Sequence, residues 1–527
     1  MARDAIVHCG GESVSWTKLA DAVALLEKVG RDGTINKILK RLPATNHVPE
    51  YIGNFSSMPA YRLVQNTTGL FRRQDELGFR TWRYTLEELV SFLAAFKASR
   101  LHDTIYAILG LASDFEPVDA LKFESKVNDT EPKPVDALKS ESKVNDTEPK
   151  LVDALKSESK VNATEPKPNL RRANTRMDWA RTMEPFKVDY EKSPLAVFKE
   201  FLDGAIKKSQ SLDIICRPWA PTSGFDAKGN HQNVDLPSWI PSLSRKPFQL
   251  TRDGNMVRYN PDPLVGPALF RHKYYSASGL CKVYCNIDLK SPDSKHMTVK
   301  GFILDKIGET WDSGEFGNVP GDWLRAGHWK DVDKVPPDEL WRTLVADRNA
   351  QGDDPDRWYP LVFQSAVKER GISYGFETYR LIHEGTNAPV AELFRRVQAV
   401  VWNRRLIRTQ GQYMEWLTKE PRNCLGALGL APNNARKDDL ICIIFGCSVP
   451  LVLRQAHRPK QSESPQLHAS TTSAKPQGAS TSSKDNSEDG EKLYTLVGEC
   501  YIDHMMDGEA IAYFKDQDIC PQEFKLE

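Results

Sequence analysis

Apolar residues recur through the first part of this chain at the three- and four-residue spacing of a helix face. In "SVSWTKLADAVALLEKVG", Trp16, Leu19, Ala20, Val23 and Leu26 fall on one side, with Ser15 placed to cap the first turn. "YTLEELVSFLAAFKASR" carries a stripe of Leu86, Leu89, Val90, Leu93 and Phe96, and Thr85 with Glu88 has the spacing of a capping box. "HDTIYAILGLASD" places Ile105, Tyr106, Ile108, Leu109 and Leu111 in a run that predicts a further short buried helix, with Gly110 near its end. "EKSPLAVFKEFLDGAIKKS" repeats the scheme, with Ser193 as cap, Pro194 in the first turn and Val197, Phe198, Phe201, Leu202 and Ala205 facing inward.

The pattern then changes period. "HMTVKGFILDKIGET", "NRRLIRTQGQ", "DLICIIFGCSVPLVLRQA", "LYTLVGECYID" and "EAIAYF" are short runs rich in β-forming residues, separated by turn signals such as the polar stretch 431–439. Strands of this length and spacing predict a small barrel or sandwich. Between the helical and β-rich parts lies a loop-rich stretch, 210–295, in which "DLPSWIPSLS" sets Trp239 between Pro237 and Pro241 as a core plug.

Two segments lack the apolar positions that a packed core needs. Residues 118–166 contain three near-identical copies of a 17-residue unit marked by Val118, Val135 and Val152, each closing on Thr-Glu-Pro. The copies offer too little apolar surface for a stacked solenoid and are expected to be disordered. Residues 461–492 are Ser/Thr-rich and nearly devoid of apolar groups, so they are expected to form a flexible insert. The expected fold is therefore α+β and multidomain. It comprises a helical block over 1–114, a repeat-bearing linker over 115–184, and a helix with a loop-rich region over 185–295. A mixed, increasingly β-rich region over 296–456, the insert at 457–492 and the final strands at 493–527 complete it.

Charge narrows the partners. Lys and Arg number 71, as do Asp and Glu, giving zero formal net charge. That balance argues against attraction of the whole protein to nucleic acid or an anionic membrane. The longest apolar window, 440–453, is too short to span a bilayer and is interrupted by Gly446 and Pro450. Nine cysteines without a dense spacing pattern, behind an N-terminus lacking a signal-peptide pattern, fit a reduced, cytoplasmic protein.

Candidate chemistry is sparse. Asp103 stands alone and reads as a helix cap or salt-bridge partner rather than a catalytic acid. Cys281 and Cys285 have only His272 as a possible helper and read as two thiols on alternating strand positions rather than a zinc site. "HCGGES" at 8–13 lacks the strand–turn–helix context of a nucleophile loop and reads as a turn between a helix end and the Ser15-capped helix. Glu499, Asp503, His504, Asp507 and Glu509 form the densest polar cluster, in which a divalent cation is conceivable. Asp507-Gly508 within it, however, is a hairpin-turn signal. No catalytic, cofactor-binding or metal-binding residue is assigned, no cofactor is expected, and the chain is not expected to be an enzyme.

Several of these segments resemble, in the family's own order, the motifs of fungal heterokaryon-incompatibility (HET) domain proteins. "HDTIYAILGLASD" looks like the family motif, through Asp103, Tyr106, Leu109, Gly110 and Leu111. "PFKVDYEKSPLAVFKEF" is similar to the element that follows, with Asp189 and Tyr190. "LPSWIPSLS" matches through Pro237, Trp239 and Pro241. "LGLAPNNARKDDLICIIFGCSVPLVLR" resembles a family strand pair through Gly429, Pro432, Asp438, Gly446, Pro450 and Arg454. Lys437 stands there where the family has a glycine before Asp438. "YTLVGECYIDHMMDGEA" is similar to the family's ending through Gly498, Glu499, Tyr501, Gly508 and Glu509. The resemblance covers the region beyond the family's N-terminal module, which is thought to resemble Toll/interleukin-receptor-type domains and whose own motifs do not appear. It implies a role in vegetative incompatibility and non-self recognition as a non-catalytic interaction or regulatory protein with a protein partner. The alternatives are a piece of a longer HET protein or a degenerate remnant.

Overall fold

The computed structural model describes residues 6–9, 11–31, 64, 84–94, 98–114, 186–226, 228–250, 256–268, 273–383, 387–411, 426–456 and 492–527. The repeats at 118–166, the insert at 461–492, Phe96 and His272 lie outside them. The chain divides into two compact units, one formed by Met1–Asp114 with Asp189–Glu527 and the other by Phe115–Val188. Only 186–188 of the second are described.

The first unit opens with a hairpin, β1 (Ile6–Cys9) against β2 (Glu12–Ser15), which leads directly into α1 (Trp16–Arg31). "HCGGES" thus belongs to a hairpin and is not the exit of a helix: His8 and Cys9 pair with Ser13 and Glu12. Lys18 N donates to Ser15 Oγ at 3.4 Å. Ala20 and Val23 are buried with Val64, but Leu26 is exposed, contrary to the apolar stripe expected for this helix.

The next helix, α2 (Leu86–Leu93), starts on a full capping box: Glu88 N donates to Thr85 Oγ1, and Thr85 N donates back to Glu88 Oε2 at 2.7 Å. "HDTIYAILGLASD" is not one helix. It forms a single turn, α3 (Asp103–Tyr106), and a separate 3-10 turn over Leu109–Leu111. Ile105 and Leu109 are buried while Ala107 and Gly110 are exposed, so the apolar run is satisfied by two short turns. α4 (Pro194–Ser209) has the expected Ser193 cap and buries Val197, Phe198, Phe201, Leu202 and Ala205.

The loop-rich stretch holds short hairpins, β3 (Ser223–Phe225) with β4 (His231–Asn233) and β5 (Phe248–Leu250) with β6 (Met256–Arg258). A nine-stranded sheet follows, from β7 (Cys285–Ile287) and β8 (Met297–Ser313) to the C-terminus. Between β8 and the next strand the chain inserts five helices: α5 (Gly321–Ala326), α6 (Asp338–Val345), α7 (Tyr359–Lys368), α8 (Thr378–His383) and α9 (Ala388–Val401). Phe363, Phe376 and Phe394 pack ring against ring among them, with centroids 5.0–5.6 Å apart.

The sheet is completed by β9 (Arg404–Thr409), β10 (Leu428–Pro432), β11 (Leu440–Ile444), β12 (Leu451–Gln455), β13 (Leu493–Glu499), β14 (Tyr501–Ile502) and β15 (Gln522–Leu526). Its order is β11-β12-β13-β15-β8-β9-β10-β14, and β11 also pairs with β8. The length of β8 allows this: its first residues pair with β15, its middle with β11 and its last with β9. Phe302, Leu304, Ile307, Ile441, Ile443, Val452, Val497 and Ile502 fill the core beneath.

"EAIAYF" belongs to a helix, α10 (Glu509–Asp516), and not to a strand. Its buried residues, Ala510 and Phe514, stand four apart, a helical spacing that a six-residue run of β-forming types conceals. Phe514 stacks on Phe302 of β8 at 4.0 Å between centroids. No helix among the described residues is long and apolar enough to cross a membrane.

Candidate functional site

The five acidic and imidazole side chains clustered in "GECYIDHMMDGEA" do not converge on one point. Backbone direction separates them: β13 ends at Glu499, β14 turns through Asp503 and His504, and Gly508 (φ 99°) starts α10. Asp507-Gly508 is therefore the entry to a helix rather than the tip of a hairpin. Among the described residues no group of three His, Cys, Asp or Glu could hold a metal ion. Each carboxylate instead meets partners of its own.

Glu499 points inward. Its Oε1 accepts from Arg404 Nη2 at 2.7 Å and from Leu264 N at 2.7 Å, and Oε2 accepts from Val265 N at 3.4 Å. Arg404 also donates to the carbonyls of Val400 and Asp262. Burial pushes the Glu499 carboxyl above its usual range, while Arg404 and the two backbone N–H groups pull it back. A buried ion pair endures only when its remaining hydrogen-bonding capacity is met in this way.

Asp507 faces Arg348. The Nη2 of Arg348 reaches Oδ1 at 2.9 Å and Oδ2 at 2.7 Å, and its guanidinium lies 4.7 Å from the centre of the Tyr275 ring. Arg348 is aimed by a strained turn after α6, where Ala346 (φ 49°) and Asp347 (φ 46°) both adopt the left-handed conformation without being glycine. The strain is offset by side chains that bind the turn's carbonyls: Arg396 Nε donates to Val345 and Arg348, and the Tyr275 hydroxyl donates to Ala346. Arg348, Asp507, Lys273 and Tyr274 border a cleft of about 570 Å³ with Asp353 and Asp354 at its edge. Nearby, Glu509 uses its carboxylate to accept from Asp507 N at 2.8 Å.

Asp503 is buried, accepts from the Tyr501 hydroxyl at 3.0 Å and sits 3.3 Å from His504 Nε2. Burial pushes its carboxyl up to about 6, and His504 draws it down. His504 itself is exposed and left-handed (φ 61°).

The remaining motif residues pack segment against segment. Asp103 is not a helix cap: His102 occupies that place, and the Asp103 carboxylate accepts from the Tyr190 hydroxyl at 2.7 Å. That bond pushes the Tyr190 phenol up to about 12. The Tyr106 hydroxyl donates to Asp189 O at 3.1 Å, so the first two motifs are joined twice. Trp239 is fully buried and donates to Lys295 O at 2.8 Å, while Pro241 O accepts from Trp219 N and Pro237 O from Ile240 N.

In the strand-pair motif Arg454 is engaged by Asp439 (2.8 and 2.7 Å), the residue after the motif's Asp438. Asp438 is exposed at φ 68°, and its N–H donates to Ile307 O. Gly429 lies where an added Cβ would stand 2.4 Å from Tyr501 O, and Gly446 (φ 91°) where it would stand 2.3 Å from Val283 Cγ2. Gly498 lies against Pro432, and Pro450 O accepts from Cys500 N at 2.9 Å. Cys285 begins β7, but Cys281 lies in the turn before it, so the two do not alternate along one strand.

Arg348, Arg396, Arg404 and Asp439 were not singled out by sequence reasoning. Comparison of the chain with protein-family models, with curated proteins and with solved structures finds no match in any of the three.

Proposed function

We propose that this chain acts in fungal heterokaryon incompatibility as a non-catalytic interaction or regulatory protein that binds another protein in non-self recognition. The observation that carries this reading is that residues of the resembling motifs meet one another. Tyr106 and Asp103 bind Asp189 and Tyr190, Gly429 admits Tyr501, and Glu499 is committed to a buried arginine. Residues engaged in this way mark a fold that positions a surface, rather than side chains held free for chemistry. We read the circuit β8–β11–β12–β13–β15 as a small closed barrel at its centre. The surface offers large aromatic groups suited to a protein partner: Phe316 is 70% exposed and Tyr374 76%, on either side of the Val319–Phe376 bridge.

The test is genetic and uses the whole chain. In two fungal strains that reject fusion, the reading predicts that removing the gene from one strain weakens the rejection. It also predicts that a copy carrying Phe316→Ala and Tyr374→Ala fails to restore rejection while accumulating normally. Unchanged rejection after removal would contradict the function. Full restoration by the double variant would move the partner surface elsewhere.

A further inference from the structure

Three cysteines from three separate segments gather around the turn between β11 and β12. The turn after α4 is laced to it by three hydrogen bonds: Leu212 N to Gly446 O at 2.9 Å, Ser211 Oγ to Gly446 O at 3.3 Å, and Ser448 N to Asp213 Oδ1 at 2.7 Å. This lacing sets the segment that carries Cys216 beside the turn that carries Cys447. Val283 packs over Gly446 from the other side and brings Cys285 into the neighbourhood of Cys447. All three are free thiols, with Cys447 buried and Cys216 and Cys285 partly exposed.

We propose that Cys216 and Cys447 form a dithiol that closes to a disulfide by exchange with a small-molecule disulfide, pinning the 211–216 turn to the β11–β12 turn. Cys216, the more exposed, reacts first. Its thiolate attacks one sulfur of the small disulfide, forming a mixed disulfide and expelling one small thiolate. The Cys447 thiolate then attacks Cys216 Sγ, forming the internal bond and expelling the second. The protein loses two electrons and two protons; the small disulfide is reduced to two thiols. Contact with Cys447, burial, and the carboxylates of Glu499 and Asp213 push the Cys216 thiol well above its ordinary range, so closure accelerates as pH rises. The lacing hydrogen bonds favour Cys216 over Cys285 as the partner of Cys447.

The full chain is incubated with oxidised glutathione at pH 8.5, free thiols are alkylated, and non-reduced peptides are mapped by mass spectrometry. The expected result is a Cys216–Cys447 cross-link, with a melting temperature several degrees above the reduced protein. Cys447→Ser is expected to stop at a glutathione adduct on Cys216. Alkylated Cys216 and Cys447 in the wild-type chain, or a Cys285–Cys447 link in their place, would overturn the proposal.

Discussion

Arg404 Nη2 donates to Glu499 Oε1 at 2.7 Å across 95 positions of chain, with both side chains nearly excluded from solvent. The pair joins the first residue of β9 to the last residue of β13, and the backbone N–H groups of Leu264 and Val265 complete the carboxylate's bonding. The loop-rich stretch, the helical insert and the sheet thus meet at one buried charge.

The second arginine, Arg348, acts through its shape. Its Nε donates to Tyr274 O, its Nη1 to Asp347 O and its Nη2 to Asp507, while its plane lies over Tyr275. A lysine keeps the charge but loses the fork and the stacking. Arg348→Lys is expected to cost about 1–3 kcal/mol in urea unfolding. A change near zero would show that the charge alone suffices.

Asp503 should give the protein a pH dependence opposite in sign to that of an ordinary surface carboxylate. Its folded carboxyl titrates near 6, against an unfolded value near 3.8. The folded state therefore holds the proton more tightly than the unfolded state does. The ionised group weakens the fold at neutral pH, and stability from this residue is gained as pH falls from about 7 through 6 towards 4. The full gain is about 3 kcal/mol. Asp503→Asn removes the titration, so its stability over that window should rise less steeply on acidification than that of the wild type. Identical slopes in the two proteins would count against the burial of Asp503.

Trp239 is 0% exposed, and its indole N–H is bonded to Lys295 O. Trp239→Ala is expected to destabilise by about 3–5 kcal/mol through the cavity it leaves. Chemical denaturation measures this directly, and a loss below about 1 kcal/mol would mean that the neighbouring loops collapse into the space.

Local rules made part of this architecture legible. The capping box of Thr85 and Glu88 and the Ser193–Pro194 start of α4 depend on neighbours a few residues away, and each appears as its sequence implies. Short runs were ambiguous: "EAIAYF" has β-forming residues but packs Ala510 and Phe514 from one helical face. Within the helical insert, α5 and α8 stayed hidden because they have only six residues each, too few for a periodicity to stand out. The polar cluster near the C-terminus was visible, but its meaning was not. Arg348 and Arg404, which decide the roles of Asp507 and Glu499, stand 159 and 95 residues away. Asp438 was named through its place in the resembling motif, and only the fold shows that its neighbour Asp439 is the carboxylate that turns inward to Arg454.

The central claim is that motif residues such as Glu499 serve to hold the fold, and a double-mutant cycle on Arg404 and Glu499 tests it most directly. Arg404→Met and Glu499→Leu are made singly and together, and the free energy of unfolding is measured for each. Each single change leaves a buried charge unpaired and is expected to cost about 3–5 kcal/mol, whereas the double replacement by apolar groups is expected to cost far less than their sum. A Glu499→Leu protein more stable than the wild type would contradict the claim, because relief on removing a charge is the mark of a residue held under strain for function.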